Sequence, residues 1–428
     1  MGMMNKNELK ALACRIIDER AEDIIAIGEA ILASPEMGYR EHKTAALVQA
    51  ELEKLSIPCR AGLAISGVRG RLPGKAHNAR VAVIGEMDAV TCSMHPRADM
   101  VSGAAHACGH NAQIAAMLGC AIGLSSLAGE LDGDVDFFAV PAEEFVEIEY
   151  RSKLRERGDI TLLGGKQELI ARGEFDDIDM AMMVHAKGNA PDGAVYTVGP
   201  GMGFVAKKIN FIGKAAHAGG APHEGINALN AAMAAMMCIH AARETFRDED
   251  KIRVHPIITN GGELVNVVPD LVTMETYVRG ATPEAVKDAS EKVDRAIRGA
   301  CIAIGAECEI IDYKGYLPLL QSEGLTAVFE ENAEAAGIPV IHGFDMTGST
   351  DMGDLGHIMP IIQPCMGGFT GNLHAVDFAV ADTVAAYVLP AKLLAMTVID
   401  LLAGGAGRAL AIKNEFVPKM TKEEYLAY

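Results

Sequence analysis

The sequence is short of positive charge. Its 38 Lys and Arg stand against 57 Asp and Glu, a formal charge of −19, which excludes a surface that gathers phosphate backbones or anionic lipid by long-range attraction. No nucleic-acid or membrane partner is expected. A clean apolar run of membrane length is lacking too: the longest, residues 385–407, is interrupted by Pro390, Lys392 and Asp400 and falls short of the ~20 unbroken residues that span a bilayer. It reads as a buried helix. The opening stretch MGMMNKNELKALACRIIDER carries charges every few positions and has no apolar segment closed by small residues, so no export signal is read and a cytoplasmic location is expected. The nine cysteines are odd in number and scattered, without paired CxxC spacing, which fits reduced thiols and argues against a disulfide framework. Repeats and low-complexity segments are absent as well.

What is present is a chain of 428 residues, half of them apolar, enough at ~150 residues per domain for two domains or one with an insertion. Helical spacing of Leu9, Leu12, Ala13, Ile16, Ile17, Ile24, Ile27 and Ile31 predicts one amphipathic helix over 8–33, stopped by Pro35. A second helix is expected over 44–55, a buried strand over 81–90, a helix over 110–127, and further strands over 134–140 and 179–186. Strand-helix-strand alternation of this kind implies an α/β/α sandwich with ligands at the strand ends. From 204 to 316 the rhythm changes to βαββαβ, with strands over 205–212, 252–259, 264–280 and 307–313 and helices over 227–245 and 283–304, a ferredoxin-like insertion. The expected domains are thus 1–203 with 317–428, and 204–316. Ala228, Ala231, Ala232, Ala235 and Met236 form a stripe beyond what one sheet face needs, so a homodimer through the insertion is expected. Thr421 and Glu424 have capping-box spacing for a short terminal helix.

Four positions carry chemistry-bearing side chains at strand ends or loops. In His106-Ala-Cys108-Gly-His110, a glycine between Cys and His lets both ligand atoms turn to one point, although a buried thiol beside a capping histidine reads equally well. Glu143 and Glu144 follow an apolar strand, where two carboxylates cannot both be buried without cations. His185 ends another strand and His374 follows a Gly-rich loop. Each alone has a structural reading. Together they make an N/O/S donor set large enough for two divalent metals.

Adding 34–41, Glu86-Met-Asp88-Ala89, Gly213-Lys-Ala-Ala-His217-Ala, Asn266-Val-Val-Pro269 and Arg279, the chain resembles the amidohydrolase branch of the aminoacylase-type metallopeptidases, which includes hippurate, auxin-conjugate and aminobenzoyl-glutamate hydrolases. The resemblance covers about residues 8–405. It implies metal ligands at Cys108 (bridging, as thiolate), His110, Glu144, His185 and His374, two divalent ions per chain (Zn2+ or Mn2+), Glu143 as general base and acid, and Asp88 as a residue that orients a ligand. It also implies that His217 polarises the scissile carbonyl, that Asn266 and Arg279 meet the substrate partly across a dimer interface, and that the substrate is a small N-acyl or N-aroyl amino acid. A dipeptidase of the same fold, a Cys108 nucleophile with His110 as base, and a non-catalytic metal-binding relative are the alternatives.

Three departures from that pattern stand out. Asn111 replaces an aspartate and is read as removing a charge beside the metals; Thr350 replaces a glutamate in Ser349-Thr350-Asp351, and no role is carried onto it. Residues 145–177 are longer than the pattern and, with Tyr150, Arg151, Lys153, Arg155 and Arg157, read as a specificity loop.

Overall fold

Every residue of Asp134–Val140 and all but the first of Arg80–Glu86 are buried, as strands covered on both faces must be. In the computed structural model, which describes residues 4–344 and 346–428, these two strands pair in parallel at the centre of a six-stranded sheet. Its order is Cys59–Leu63, Gly67–Leu72, Asp134–Val140, Arg80–Glu86, Met180–Met182, Ile361–Ile362, parallel except where Gly67–Leu72 pairs with its neighbours. Against it lies His110–Ser125, apolar all round and buried from His110 to Leu124. Helices Lys6–Glu19, Ala21–Leu32 and Leu389–Leu402 pack on that central helix in turn.

Three expectations are corrected here. The single helix over 8–33 is two, because Arg20 leaves helical geometry (φ −111°, ψ 16°), which lets both halves lay an apolar face on the central helix. The strand over 179–186 divides into Met180–Met182 in the large sheet and His185–Ala186 in a four-stranded one with Val340–Phe344, Val195–Val198 and Cys365–Met366. Residues 145–177 are no open specificity loop: they fold into helices Ile148–Glu156 and Gly165–Ala171. Arg151 and Lys166 there are fully buried, whereas Lys153, Arg155 and Arg157 face solvent. The apolar run does form a helix: Val384–Leu402 has the length and composition to cross a membrane, but 83% of it is buried inside the protein, as a core helix would be. Thr421 caps Lys422–Ala427 with the reciprocal Glu424 bond expected.

A charge cluster, buried at Arg69 and Asp136 and open to solvent at Asp177, ties the end of the 145–177 segment to the sheet. Arg69, from Gly67–Leu72, donates to Asp136 and to Asp177, both at 2.6 Å, and Asp177 also accepts from Arg71 (2.6 Å) and Arg80 (2.8 Å). Burial opposes ionisation of Asp177, but the hydrogen bonds from Arg69 and Arg71 outweigh it and hold the carboxyl at about 2. A depressed carboxyl contributes stability that is present above its unfolded value of 3.8 and lost as pH falls toward 2. The gap in thermal midpoint between the wild type and Asp177→Asn should therefore close between about pH 4 and pH 2; a gap constant over that range would refute the assignment.

The chain divides by its contacts into Met1–Gly199 with Leu320–Met346 and Asp354–Tyr428, and a second unit, Pro200–Leu319 with Thr347–Gly353. Thr347–Gly353, which includes Thr350, thus groups with the inserted unit and not with the first domain as expected. The second unit is an antiparallel sheet ordered Arg253–Val254, Leu271–Gly280, Gly203–Ile212, Glu307–Lys314, with Ile257–Asn260 also paired to Leu271–Gly280. Helices Ala228–Ala241 and Pro283–Ile304 pack on it and on each other. The βαββαβ order is observed, with one strand interrupted at His255-Pro256, where proline has no N–H for the ladder. Pro283–Ile304 buries Ala285, Val286, Ala289, Val293, Ile297, Ala300 and Cys301, a spacing of three and four that makes one apolar face. The alanine stripe is corrected: Ala228, Ala231, Ala232 and Ala235 are core residues of this unit, and the outward side chains of that helix include Asn230, Met233, Met237, Cys238 and His240, the two methionines 57% and 70% exposed.

Candidate metal centre

Three adjacent parallel strands end at one place. Register pairs Glu86 with Val140, so the residues that follow, Met87-Asp88 and Pro141 to Glu144, leave the sheet side by side, and Met180–Met182 on the other flank leads to His185. Binding residues gather at the carboxyl ends of parallel strands for this reason. Cys108 and His110 come from the start of the central helix, where Gly109 adopts φ 79° and a Cβ would stand 2.5 Å from Ala186, so glycine alone fits between the two. His374 has a left-handed backbone (φ 63°) held by its N–H on the Ala107 carbonyl at 2.8 Å. Strain of this kind is kept where a side chain has to be aimed.

The five proposed ligands meet. Cys108, His110 and His185 bring their ligand atoms within 4.8 Å of one another, and so do Cys108, Glu144 and His374, so that Cys108 is common to both groups. His374 Nε2 lies 3.2 Å from Cys108 Sγ and 3.0 Å from Glu144 Oε1, and His185 Nε2 lies 3.6 Å from the same sulfur. The other nitrogens are already engaged: His110 Nδ1 donates to Asp88 (2.9 Å to its carbonyl, 3.2 Å to Oδ1) and His185 Nδ1 to the Ala186 carbonyl at 2.9 Å. That leaves the Nε2 atoms facing the cluster. Two buried atoms there, His110 Nε2 and Glu144 Oε1, have charged neighbours but no aligned hydrogen bond. Buried polar atoms without a partner are costly, and a cation satisfies both, so the donor set fits divalent metal.

Electrostatics point the same way. Burial and Glu144 push the Cys108 thiol up, yet His185 and His110 outweigh them and bring it down to about 6, a thiolate at neutral pH. Asp88 also accepts from the Glu144 N–H at 2.9 Å, so one buried carboxylate orients a histidine ligand and the backbone of the glutamate pair. Glu143 lies outside both Cys108 groups, with Glu86 and His110.

Several neighbours were given no supporting role at this site by the sequence. Arg151 donates to the carbonyls of Ala142 (3.1 Å), Leu163 (2.9 Å) and Glu144, clamping the turn on both sides of Glu143. Ala142 N–H donates to Glu41 at 2.7 Å, and Ser66 donates to the same carboxylate at 2.6 Å. Asn111 is corrected: its amide donates to the Gly28 carbonyl (3.3 Å) and the Tyr387 hydroxyl (3.1 Å), so it ties helices together in the core.

His217, Asn266 and Arg279 lie in the second unit. His217 and Asn266 are exposed and adjacent, the Ala218 N–H reaching the Asn266 carbonyl at 2.9 Å. His217 Nδ1 accepts from the Gly219 and Gly220 N–H groups at 3.1 and 2.9 Å, so its proton sits on Nε2. Arg279 is half-buried, donates to Ser349 Oγ at 2.7 Å and lies 5.2 Å from the Phe204 and Tyr277 rings.

The peptidase dimerisation domain of the M20 type matches residues 202–303. Over 98% of its length the chain is 29% identical to the Xaa-Arg dipeptidase of Mus musculus, of which 94% is covered. An N-acyl-L-amino acid amidohydrolase of Geobacillus stearothermophilus is 28% identical over 74% of this chain and 82% of its own. A dinuclear metal-binding peptidase of the M20 family from Bacillus subtilis has the same fold, with a TM-score of 0.67 at 22% identity over 89% of this chain and 98% of that one. The resemblance read from the motifs is borne out: the chain carries an M20-type peptidase dimerisation domain and is similar over most of its length to a named dipeptidase and to a named N-acyl amino acid amidohydrolase. It is a metal-dependent peptidase or amidohydrolase.

Proposed function

We propose that the chain hydrolyses an amide whose amine belongs to an amino acid with a free carboxylate, namely an N-acyl or N-aroyl amino acid, aminobenzoyl-glutamate-like compounds among them. The observation that carries this is Cys108 shared between two three-residue ligand groups, with a second glutamate, Glu143, beside them. Cys108, His110 and His185 would hold one divalent ion, and Cys108, Glu144 and His374 another. Bound there, the pair would acidify a water and polarise the amide carbonyl. Glu143 takes the water's proton and returns it to the leaving amine. Asp88 keeps the His110 ring in place. The resemblance implies further roles for residues of the second unit, partly across a dimer interface: His217 Nε2–H as donor to the carbonyl oxygen, Asn266 as a hydrogen-bonding partner of the substrate and Arg279 as holder of a carboxylate. Thiolate and imidazole favour Zn2+, carboxylate favours Mn2+, and reconstitution with each decides between them.

The mouse dipeptidase, similar along nearly the whole chain, supports a second reading, cleavage of dipeptides. Metal-reconstituted protein assayed on N-acyl amino acids, aminobenzoyl-glutamate and Xaa-Arg dipeptides separates the two. Turnover of dipeptides alone transfers the assignment, and no turnover with ions bound leaves a non-catalytic metal binder.

The dimerisation domain indicates a homo-oligomer, and our proposal is a dimer formed through the inserted unit. Light scattering at micromolar concentration should give twice the chain mass of 45.2 kDa, and a monomer would reject it. Cytoplasmic location is part of the proposal, supported by nine free cysteines and tested by cell fractionation.

A further inference from the structure

Glu86 and Lys166 are both fully buried, and Lys166 Nζ lies 2.5 Å from Glu86 Oε1. Such a pair is a poor source of stability, since desolvation of both charges rivals their attraction. Its position gives it another use. Glu86 ends the central strand, its N–H donates to Gln113 Oε1 at 3.2 Å, and its Oε2 accepts from Gln113 Nε2 at 2.8 Å, so the carboxylate is fixed in place. The same Oε2 stands 3.2 Å from His110 Nε2, the ring nitrogen that Asp88 leaves for a cation. Glu86, His110 and Glu143 form a third group of ligand atoms within 4.8 Å of one another. Lys166 arrives on Gly165–Ala171, whose first residue is pressed onto the Pro141 carbonyl: a Cβ on Gly165 would lie 1.6 Å from that oxygen. The helix that brings the cation is thereby seated on the turn that carries Glu143 and Glu144.

We propose that Glu86 is a further acidic group of the metal centre, acting on the ion held by His110, and that Lys166 is a positioning residue that supplies its counter-charge and aims it. The inference rests on the two-metal reading above. It gives the 145–177 segment a function at the site in place of one in substrate choice. The carboxylate adds negative charge next to the metal-facing nitrogen, and a positioned neighbour of this kind is typically worth ~10–100-fold in metal affinity.

The test separates this role from a structural one. Zn2+ and Mn2+ affinity, by competition with a chromogenic chelator, and urea stability are measured for the wild type, Glu86→Gln, Lys166→Met and the double variant. Lys166→Met leaves Glu86 buried and unpaired and should lose stability. The double variant removes both charges and should regain stability, while its metal affinity, like that of Glu86→Gln, stays ~10–100-fold below wild type. If the double variant or Glu86→Gln binds both ions with wild-type affinity, the pair is structural and the inference is overturned. If Lys166→Met does not fold, those two variants still decide. A wild type that binds no ions in the same assay would overturn the two-metal reading together with this one.

Discussion

Glu143→Gln should lower kcat by roughly 10²–10⁴-fold while metal content and substrate affinity stay near those of the wild type. Consecutive residues at a strand end point in different directions, and the structure divides them accordingly: Glu144 lies 3.0 Å from His374 Nε2 in a group with Cys108, and Glu143 lies outside both Cys108 groups. Gln keeps the size and one acceptor of Glu143 but cannot take a proton. Glu144→Gln should instead release an ion, because it removes a charged donor from the group with Cys108 and His374. Metal stoichiometry and kcat of both variants check the division. Loss of metal from Glu143→Gln with retention in Glu144→Gln would reverse the two roles, and normal turnover by Glu143→Gln would end the general-base mechanism.

The other large effect concerns the ions. Protein loaded with Zn2+ or Mn2+ should hold about two per chain, lose activity to a chelator and recover it on readdition. His110→Ala should abolish activity, since His110 belongs to one Cys108 group and touches Glu86 and Asp88 as well. The ligands come from four separated segments, so only the folded chain brings them together and binding must stabilise it. At a free ion concentration 100 times Kd, each site adds ~2.7 kcal/mol to unfolding. Urea titration with and without metal measures this; a reproducible absence of ions from folded protein would defeat the assignment.

Elements with a strong local pattern were legible in the sequence. The strand Asp134–Val140 is rich in valine and phenylalanine and is closed by Pro141, and Pro283–Ile304 has a proline at its start, a glycine after its end and one regular apolar face. Cys108, His110, Glu143, Glu144, His185 and His374 were legible because strand ends and a glycine turn mark them locally, and Asp88 was added by the family resemblance. The helix over 8–33 was misread because nothing in its apolar spacing marks the break at Arg20. Arg151 was grouped with Lys153, Arg155 and Arg157 in a specificity loop because nothing in the local sequence separates a buried cation from exposed ones.

The order of elements, the inserted βαββαβ unit and a set of N, O and S donors at strand ends follow from periodicity, turn residues and side-chain chemistry within a few positions of sequence, and the part each donor takes at a metal is what the family resemblance implies. Tertiary structure alone decided which charges are buried and whom they serve. Lys166 meets Glu86 across 80 residues, Asn111 meets Tyr387 across 276, and Cys108 meets His374 across 266. A burial cost is set by the partner that compensates it, and the partner is chosen by strand order and register, which no local window contains.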